Sequence, residues 1–402
     1  MPTRCYWMGL ELSSPFLLAS LTLFSHTELN RHAEYLAKCV QMGAGAVILP
    51  SVNPARPSSS ENWNRVKVRT AVVPSGLGQP MGFALLGPTN PNIIPVPYGV
   101  ALAEALAQRP LGVPVIGSIV NLGTLEEFTA ALTQLTQSPV NGIELNFSCP
   151  NILTKNRDGL SGYEQLILKA REICGTLPIS LKLPPTVSPE GIDCSALTQL
   201  QGLTLTNAHI GLLPPNPDTP ELSPFAGSDY WAPSGIYGPQ ERLLTYHTLY
   251  QANRLTAKLG LDISCVGGII NAEHAIQALL LGASTVQLSS AIAWNGILSF
   301  RHFNEILEQY LIEQNIPQLE ELRGRALSHI LENADQAAAD FHLTEKRHIT
   351  ESCKSCKQCS CTDRLCIAIS QPKPLLRPQI DETLCSGCGW CEAVCPHHAI
   401  TR

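Results

Sequence analysis

A chain of 402 residues, 44% hydrophobic and only 15% charged, is long enough for one large folded domain plus a small one and too apolar for intrinsic disorder. Its 29 glycines and 31 prolines point to many tight turns between buried elements rather than to a fibre. A formal charge of −6 offers no basic footprint for nucleic acid or an anionic membrane surface, which leaves a small-molecule substrate as the expectation.

In chain order, the first apolar patch, 16–20, follows Glu11, Ser13, Ser14 and Pro15 with no basic leader or cleavage site around it, so no signal peptide is expected. No apolar run reaches the roughly 20 residues of a membrane-spanning helix, and a cytoplasmic location is the expectation. From about residue 15 to 314, short apolar runs alternate with segments of helical period. Strands are predicted at 16–20, 46–50, 113–118, 142–147, 179–183, 203–206, 263–266 and 285–288, with helices such as 125–135 and 272–281 between them. Eight strand-helix units predict an α/β fold, a closed (β/α)8 TIM barrel, with a doubly wound open sheet as the alternative.

Two stretches rich in Pro, Gly, Ser and Asn, 51–97 and 211–239, follow strands two and six. They are expected to be long loops covering a ligand at the C-terminal rim, where barrels build their active sites. Beyond Tyr310 a charged helical stretch is expected to about residue 342, and 344–351 has the composition of a linker. The predicted division is thus a barrel over 1–314, a helical extension and linker over 315–350, and a cysteine-rich module over 351–402.

That module holds nine of the fifteen cysteines, between Cys353 and Cys395. In a reducing compartment such density means metal or cluster ligation rather than disulfides. Cys385-x2-Cys388-x2-Cys391-x3-Cys395-Pro396 has the bacterial ferredoxin spacing, in which three close thiolates grip one [4Fe-4S] cube and the fourth reaches a neighbouring cluster. A zinc ribbon, with two cysteine pairs across a longer gap, fits this spacing poorly. Upstream, Cys353, Cys356 and Cys359 repeat the three-ligand half, with Cys366 or Cys361 as its remote fourth cysteine. Cys366 is the preferred assignment. Two [4Fe-4S] clusters are expected. The tail resembles the two-cluster ferredoxin domain that ends several oxidoreductase subunits, including the indolepyruvate:ferredoxin oxidoreductase family.

Within the barrel, the fourth strand runs into Asn146-Phe147-Ser148-Cys149-Pro150-Asn151. Polar groups gathered at the end of a buried strand need partners, and a ligand with several donors and acceptors supplies them. A lone cysteine is usually a small buried hydrophobe, but this setting makes Cys149 a candidate acid or base. Lys182 lies between apolar neighbours of strand five and calls for an anionic partner, with a solvated rim lysine as the other reading. Strand six ends in Thr206-Asn207, and Ser234-Gly235 precedes the sixth helix. Gly267-Gly268 and Ser289-Ser290 follow strands seven and eight, where such barrels commonly bind phosphate.

With these residues in place, 9 to about 310 resembles the FMN-dependent dihydroorotate dehydrogenases and the pyrimidine-reducing domain of dihydropyrimidine dehydrogenases. The likeness rests on 115–119, on 143–151 with its Asn-x-Ser-Cys-Pro-Asn element, on 182–185, on Thr206-Asn207 and on 266–269. It implies FMN, with Cys149 exchanging a proton at C5 of a pyrimidine ring while FMN N5 exchanges hydride with C6. It further implies Lys182 near the flavin N1/O2 edge and Asn146, Ser148, Asn151 and Asn207 on the ring or flavin. Ala19, Ser20, Thr206, Gly235, Gly267, Gly268, Ser289 and Ser290 complete the implied cofactor site. The chain departs from the family at Leu49-Pro50-Ser51, where a lysine usually follows strand two, at Ser75-Gly76-Leu77, which lacks an expected Asn, and at Leu21, where the family has Gly.

The expected activity is oxidation or reduction of a CH–CH bond, interconverting a dihydropyrimidine (dihydroorotate, dihydrouracil or dihydrothymine) and its pyrimidine. Electrons would pass through the clusters to or from a partner, a ferredoxin or a flavoprotein subunit. A flavin relay subunit without its own turnover, or a flavin enzyme on another unsaturated substrate, is the alternative. Assembly as a homo- or hetero-oligomer is left open.

Overall fold

The structure, a computed structural model, describes residues 3–20, 28–55, 69–74, 80–86, 93–148, 162–223, 233–331, 346–356, 359, 366–371 and 376–401. The chain divides into two units, Met1–Ser328 and His329–Arg402.

Eight strands of the first unit pair in parallel and in chain order: β1 (Phe16–Leu18), β2 (Ala46–Ile48), β3 (Val115–Val120), β4 (Gly142–Asn146), β5 (Ile179–Leu183), β6 (Gly202–Leu205), β7 (Asp262–Cys265) and β8 (Thr285–Leu288). β8 returns to β1, with Gln287 opposite Leu17, and closes the ring. The open-sheet alternative is thereby excluded. Parallel strands need crossovers, and helices supply them: α1 (Leu29–Gln41), α2 (Val96–Ala107), α3 (Leu125–Gln137), α4 (Tyr163–Cys174), the single turn α5 (Cys194–Leu197), α6 (Arg242–Leu259), α7 (Ala272–Leu280), α8 (Ser290–Asn295) and α9 (Ser299–Glu313). The expected third strand is displaced to begin at Val115, after Pro114, whose ring removes the N–H a ladder position needs.

Successive side chains of a strand point to opposite faces. Leu145, Leu181 and Leu203 therefore turn outward together and are fully buried in the core between strands and helices. Helix α3 starts from a capping box. Glu127 N donates to Thr124 Oγ1 at 3.2 Å, and Thr124 N donates to Glu127 Oε2 at 2.7 Å. Thr124→Ala is expected to destabilise the barrel by ~1 kcal/mol, read as a lower urea midpoint of its far-ultraviolet circular dichroism transition.

The stretches expected to be loops carry strands of their own. Val52–Asn53 pairs with Ile94–Pro95 and extends from β3. Arg69–Pro74, Pro80–Leu86, Ser234–Tyr237 and Ile210–Gly211 form one four-stranded antiparallel sheet, so the segments after β2 and β6 are joined to each other. Their Pro and Gly content hid short β-forming runs such as Thr70-Ala71-Val72-Val73.

The expected charged helix beyond Tyr310 is also corrected. Helix α9 stops at Glu313, Asn315 takes a left-handed conformation and Pro317 follows; among the described residues up to 331, single turns at Leu319–Leu322 and Leu327–His329 come after. The expected helical residues from 332 to 342 lie outside the described residues. The end of the expected linker is a strand, His348–Ile349, paired antiparallel with Ile400–Thr401. A second pair, Ile369–Ser370 with Gln379–Ile380, and a short helix, Trp390–Ala393, complete the second unit. Among the described residues no helix is long and apolar enough to cross a membrane.

Candidate active site and cluster ligands

The face of the strands opposite the leucines is polar. Asn146 of β4 stands beside Lys182 of β5, and Lys182 beside Thr204 of β6. Two residues back along β4, Glu144 is fully buried: its Oε2 accepts from Thr204 Oγ1 at 3.1 Å and from Gln287 Nε2 at 3.0 Å. Its Oε1 carries no hydrogen bond within the described residues and faces Lys182 Nζ at 3.8 Å. Lys182 is 4% exposed, so it is a buried, paired cation rather than a solvated rim lysine. Barrel interiors are usually filled with branched apolar side chains, and a buried ion pair is weak evidence for stability. Charge inside this barrel therefore points to chemistry.

At the C-terminal ends of the strands a cavity opens, about 800 Å³ counting the space open to solvent, within the range of cofactor and ligand sites. Of the expected site residues, Ala19, Ser20, Asn146, Lys182, Thr206, Asn207, Gly267, Gly268, Ser289 and Ser290 line it. Ser148 does not line the cavity but holds two residues that do: its Oγ donates to Asn146 Oδ1 at 2.7 Å and accepts from Asn207 Nδ2 at 3.0 Å. Gly235 does not line it either. It sits inside the Ser234–Tyr237 strand, which instead presents Ile236 and Tyr237 to the cavity, followed by Gly238. Cys149 and Asn151 lie outside the described residues.

Several lining or supporting residues escaped the sequence reading: Ser51, Ser118, Glu144, Gln287 and Glu241. Ser51 is a hub. Its Oγ accepts from Asn146 Nδ2 at 2.9 Å and lies 3.0 Å from Ser20 Oγ and 2.8 Å from Ser118 Oγ. For Glu144 and Gln287 a signal existed, since Ile-Glu-Leu-Asn in β4 and Thr-Val-Gln-Leu in β8 alternate apolar with polar in strands buried on both faces.

The lining residues fit a flavin nucleotide. Thr206 Oγ1 and Gln287 Oε1 are buried without a hydrogen-bond partner among the described residues and both residues line the cavity, so both await a polar ligand. Gly267 and Gly268 have φ of +136° and +72°. A Cβ on either would meet Thr245 Oγ1 or Arg242 N at 2.3 Å, so only glycine lets this turn press against the start of α6. Arg242, behind Gly268, bonds His274 through its guanidinium, and burial together with that cation pushes His274 below the usual imidazole value. The exposed backbone of the glycine turn suits a phosphate, and the buried Lys182 suits the electron-rich edge of a flavin ring.

In the second unit, Cys353, Cys356, Cys359 and Cys395 line one cavity of about 310 Å³ together with Ile349, Pro378 and Ile400. Burial pushes the Cys359 thiol up, and the neighbouring thiols of Cys353, Cys395 and Cys356 push the same way. Burial likewise raises Cys391, helped by the thiols of Cys366 and Cys385. The last cysteine of each run thus sits with the other run, as in two-cluster ferredoxins. Among the described residues no three ligating side chains converge closely enough for a single metal ion, and a cavity ringed by four cysteines fits an iron-sulfur cube. Cys361 lies outside the described residues.

Comparison with known proteins agrees with this architecture. Residues 98–311, more than half of the chain, match the family model for dihydroorotate dehydrogenase, and residues 378–401 match that for a 4Fe-4S binding domain. The chain is 27% identical over 341 residues to the dihydroorotate dehydrogenase B (NAD(+)) catalytic subunit of Pyrococcus furiosus, covering 81% of this chain and 99% of that protein. It is 25% identical over 321 residues to the subunit of the same name from Thermoplasma volcanium, covering 79% and 96%. With the chloroplastic dihydropyrimidine dehydrogenase (NADP(+)) of Arabidopsis thaliana it shares 23% identity over 228 residues, 54% of this chain and 53% of that one. A closed (β/α)8 barrel with a polar interior, continued by a cysteine-rich 4Fe-4S domain, is thus an oxidoreductase that belongs to the dihydroorotate dehydrogenase family.

Proposed function

We propose that the barrel binds FMN and interconverts a dihydropyrimidine and its pyrimidine, exchanging electrons through two [4Fe-4S] clusters with a separate carrier or flavoprotein subunit. The observation that carries this reading is the cavity itself. It combines a buried cation, Lys182, with the Asn146–Ser148–Asn207 chain of amides and a hydroxyl, and a glycine turn at Gly267-Gly268.

When bound, FMN supplies the hydride chemistry that the side chains cannot. The chain's own residues do the rest. Lys182 would hold the electron-rich edge of the flavin, with Glu144 opposing it at 3.8 Å. Asn146 and Asn207 keep unused amide donors and lone pairs after their bonds to Ser51, Ser148 and Ala208 N, and these grip the ring. Cys149, the residue after Ser148, takes or gives the C5 proton. Ile236 and Tyr237, on the antiparallel sheet shared by the two long insertions, cover the cavity and limit water access.

The eight ligands are Cys353, Cys356, Cys359 and Cys395 for one cluster and Cys366, Cys385, Cys388 and Cys391 for the other. The relatives' names, which designate a catalytic subunit, support an electron-transfer partner. The test is a half-reaction. The flavin-loaded protein is reduced anaerobically and mixed with uracil, thymine or orotate, and the oxidised protein is mixed with their dihydro forms. At least one ring is expected to reoxidise or bleach the flavin, and silence toward all six would remove the pyrimidine from the reading.

A further inference from the structure

Glu144 is fully buried two residues before Asn146 on β4 and supports the cavity without lining it. Its Oε2 accepts from Thr204 Oγ1 and from Gln287 Nε2. Gln287 Nε2 also donates to Thr204 Oγ1 at 3.2 Å, and Thr204 Oγ1 lies 3.1 Å from Ser180 Oγ. Thr204 has one hydroxyl hydrogen, which goes to the carboxylate, so it accepts from both Gln287 and Ser180. The Gln287 amide is thereby fixed as well, because turning it over would set its oxygen against a carboxylate oxygen. One carboxylate oxygen of Glu144 is anchored in this way, and the other, Oε1, is left 3.8 Å from Lys182 Nζ.

At that distance the contact is an ion pair rather than a hydrogen bond, so Glu144 offsets the charge of Lys182 without using its N–H donors. Lys182 is 4% exposed and lines the cavity, which Glu144 does not. Buried pairs are screened little by salt or water. The positive charge that Lys182 shows to a bound ring is therefore what remains after the carboxylate behind it has offset a part.

We propose, resting on the FMN reading above, that Glu144 is a positioning residue that sets the reduction potential of the flavin through Lys182. Reduction of the ring by two electrons and one proton leaves one negative charge on it. A cation at the ring edge favours that charge, and a carboxylate opposing the cation weakens the effect. Glu144 thus holds the potential below the value that Lys182 alone would give.

The midpoint potential of bound FMN tests this without turnover. The FMN-loaded full chain is titrated anaerobically against reference dyes, and the flavin absorption is followed after subtraction of the cluster contribution. Glu144→Gln is expected to favour the reduced flavin by at least about tenfold in the reduction equilibrium constant, an upward shift of about 30 mV for two electrons. Lys182→Met is expected to shift it downward. Glu144→Asp, which keeps the charge, is expected to stay within about threefold of wild type, and a shift as large as that of Glu144→Gln would make the effect one of packing and overturn the proposal. In the Lys182→Met background Glu144→Gln is expected to add little; an equal shift in both backgrounds would mean that the carboxylate does not act through the lysine, and overturns the proposal too. FMN bound at an unchanged or lowered potential in Glu144→Gln overturns this proposal alone. A wild-type chain that binds no FMN on reconstitution overturns the flavin reading and the proposal with it.

Discussion

Cys149→Ala is expected to lower the rate of the flavin half-reaction by ~10²–10⁴-fold, the usual range for loss of a general acid or base, while FMN content and ring binding stay at wild-type values. The proposed role rests on the residues that precede Cys149. Ser148 is fully buried and bridges Asn146 to Asn207, so the chain enters position 149 from a point fixed inside the ligand wall. Cys39, Cys174 and Cys265 are packed away: burial pushes each up to about 12, which makes them inert parts of the core, whereas Cys194 is exposed. The sign of the pH dependence follows from the two directions. If Cys149 is the acid or base, ring oxidation needs the thiolate to take the C5 proton, so the rate rises as pH climbs through its titration; ring reduction needs the thiol to give it, so the rate falls over the same interval. Anaerobic stopped-flow in both directions checks this, and unchanged rates in the alanine variant would remove Cys149 from the mechanism.

The barrel was legible because parallel strands buried on both faces leave short apolar runs, and each of the eight predicted strands overlaps an observed one. The polar interior was less legible for the same reason. Glu144 sits between Ile143 and Leu145 and Gln287 between Val286 and Leu288, so a run scored for apolarity alone passes over each, and only the alternation marks them. Only the register, which lines up Asn146, Lys182 and Thr204 on neighbouring strands, turns scattered polar residues into one inward network. Ser51 was visible only within the stretch Leu49-Pro50-Ser51 that lacks the family's lysine, and its three bonds require Ser20, Ser118 and Asn146 to be brought together by β1, β3 and β4. The two long insertions were legible as long segments at the rim and not as a sheet, because their pairing joins residues about 150 positions apart, such as Gly235 with Leu85. Non-local pairing leaves little local trace.

In the cysteine module the spacing proposes the ligands, and the fold suggests how they divide. Cys395 belongs by sequence to the Cys385 run, yet it lines the cavity of Cys353, Cys356 and Cys359, and its Sγ accepts from Ala399 N at 3.3 Å. Cys395→Ala is therefore expected to abolish the cluster of the upstream run and spare that of Cys366, Cys385, Cys388 and Cys391, reducing iron from about eight to about four per chain. Cys353→Ala is expected to do the same. The double variant distinguishes crossed from uncrossed ligation, because two ligands of one cube are not additive. If Cys353 and Cys395 serve the same cluster, removing both still leaves about four irons. If each run holds its own cube, the double variant loses both clusters and iron falls toward zero. Iron analysis of anaerobically prepared protein, with electron paramagnetic resonance of the reduced state to confirm one surviving cluster, decides between them. Retention of the single remaining cube would also make it the one through which any residual electron exchange of that variant must run.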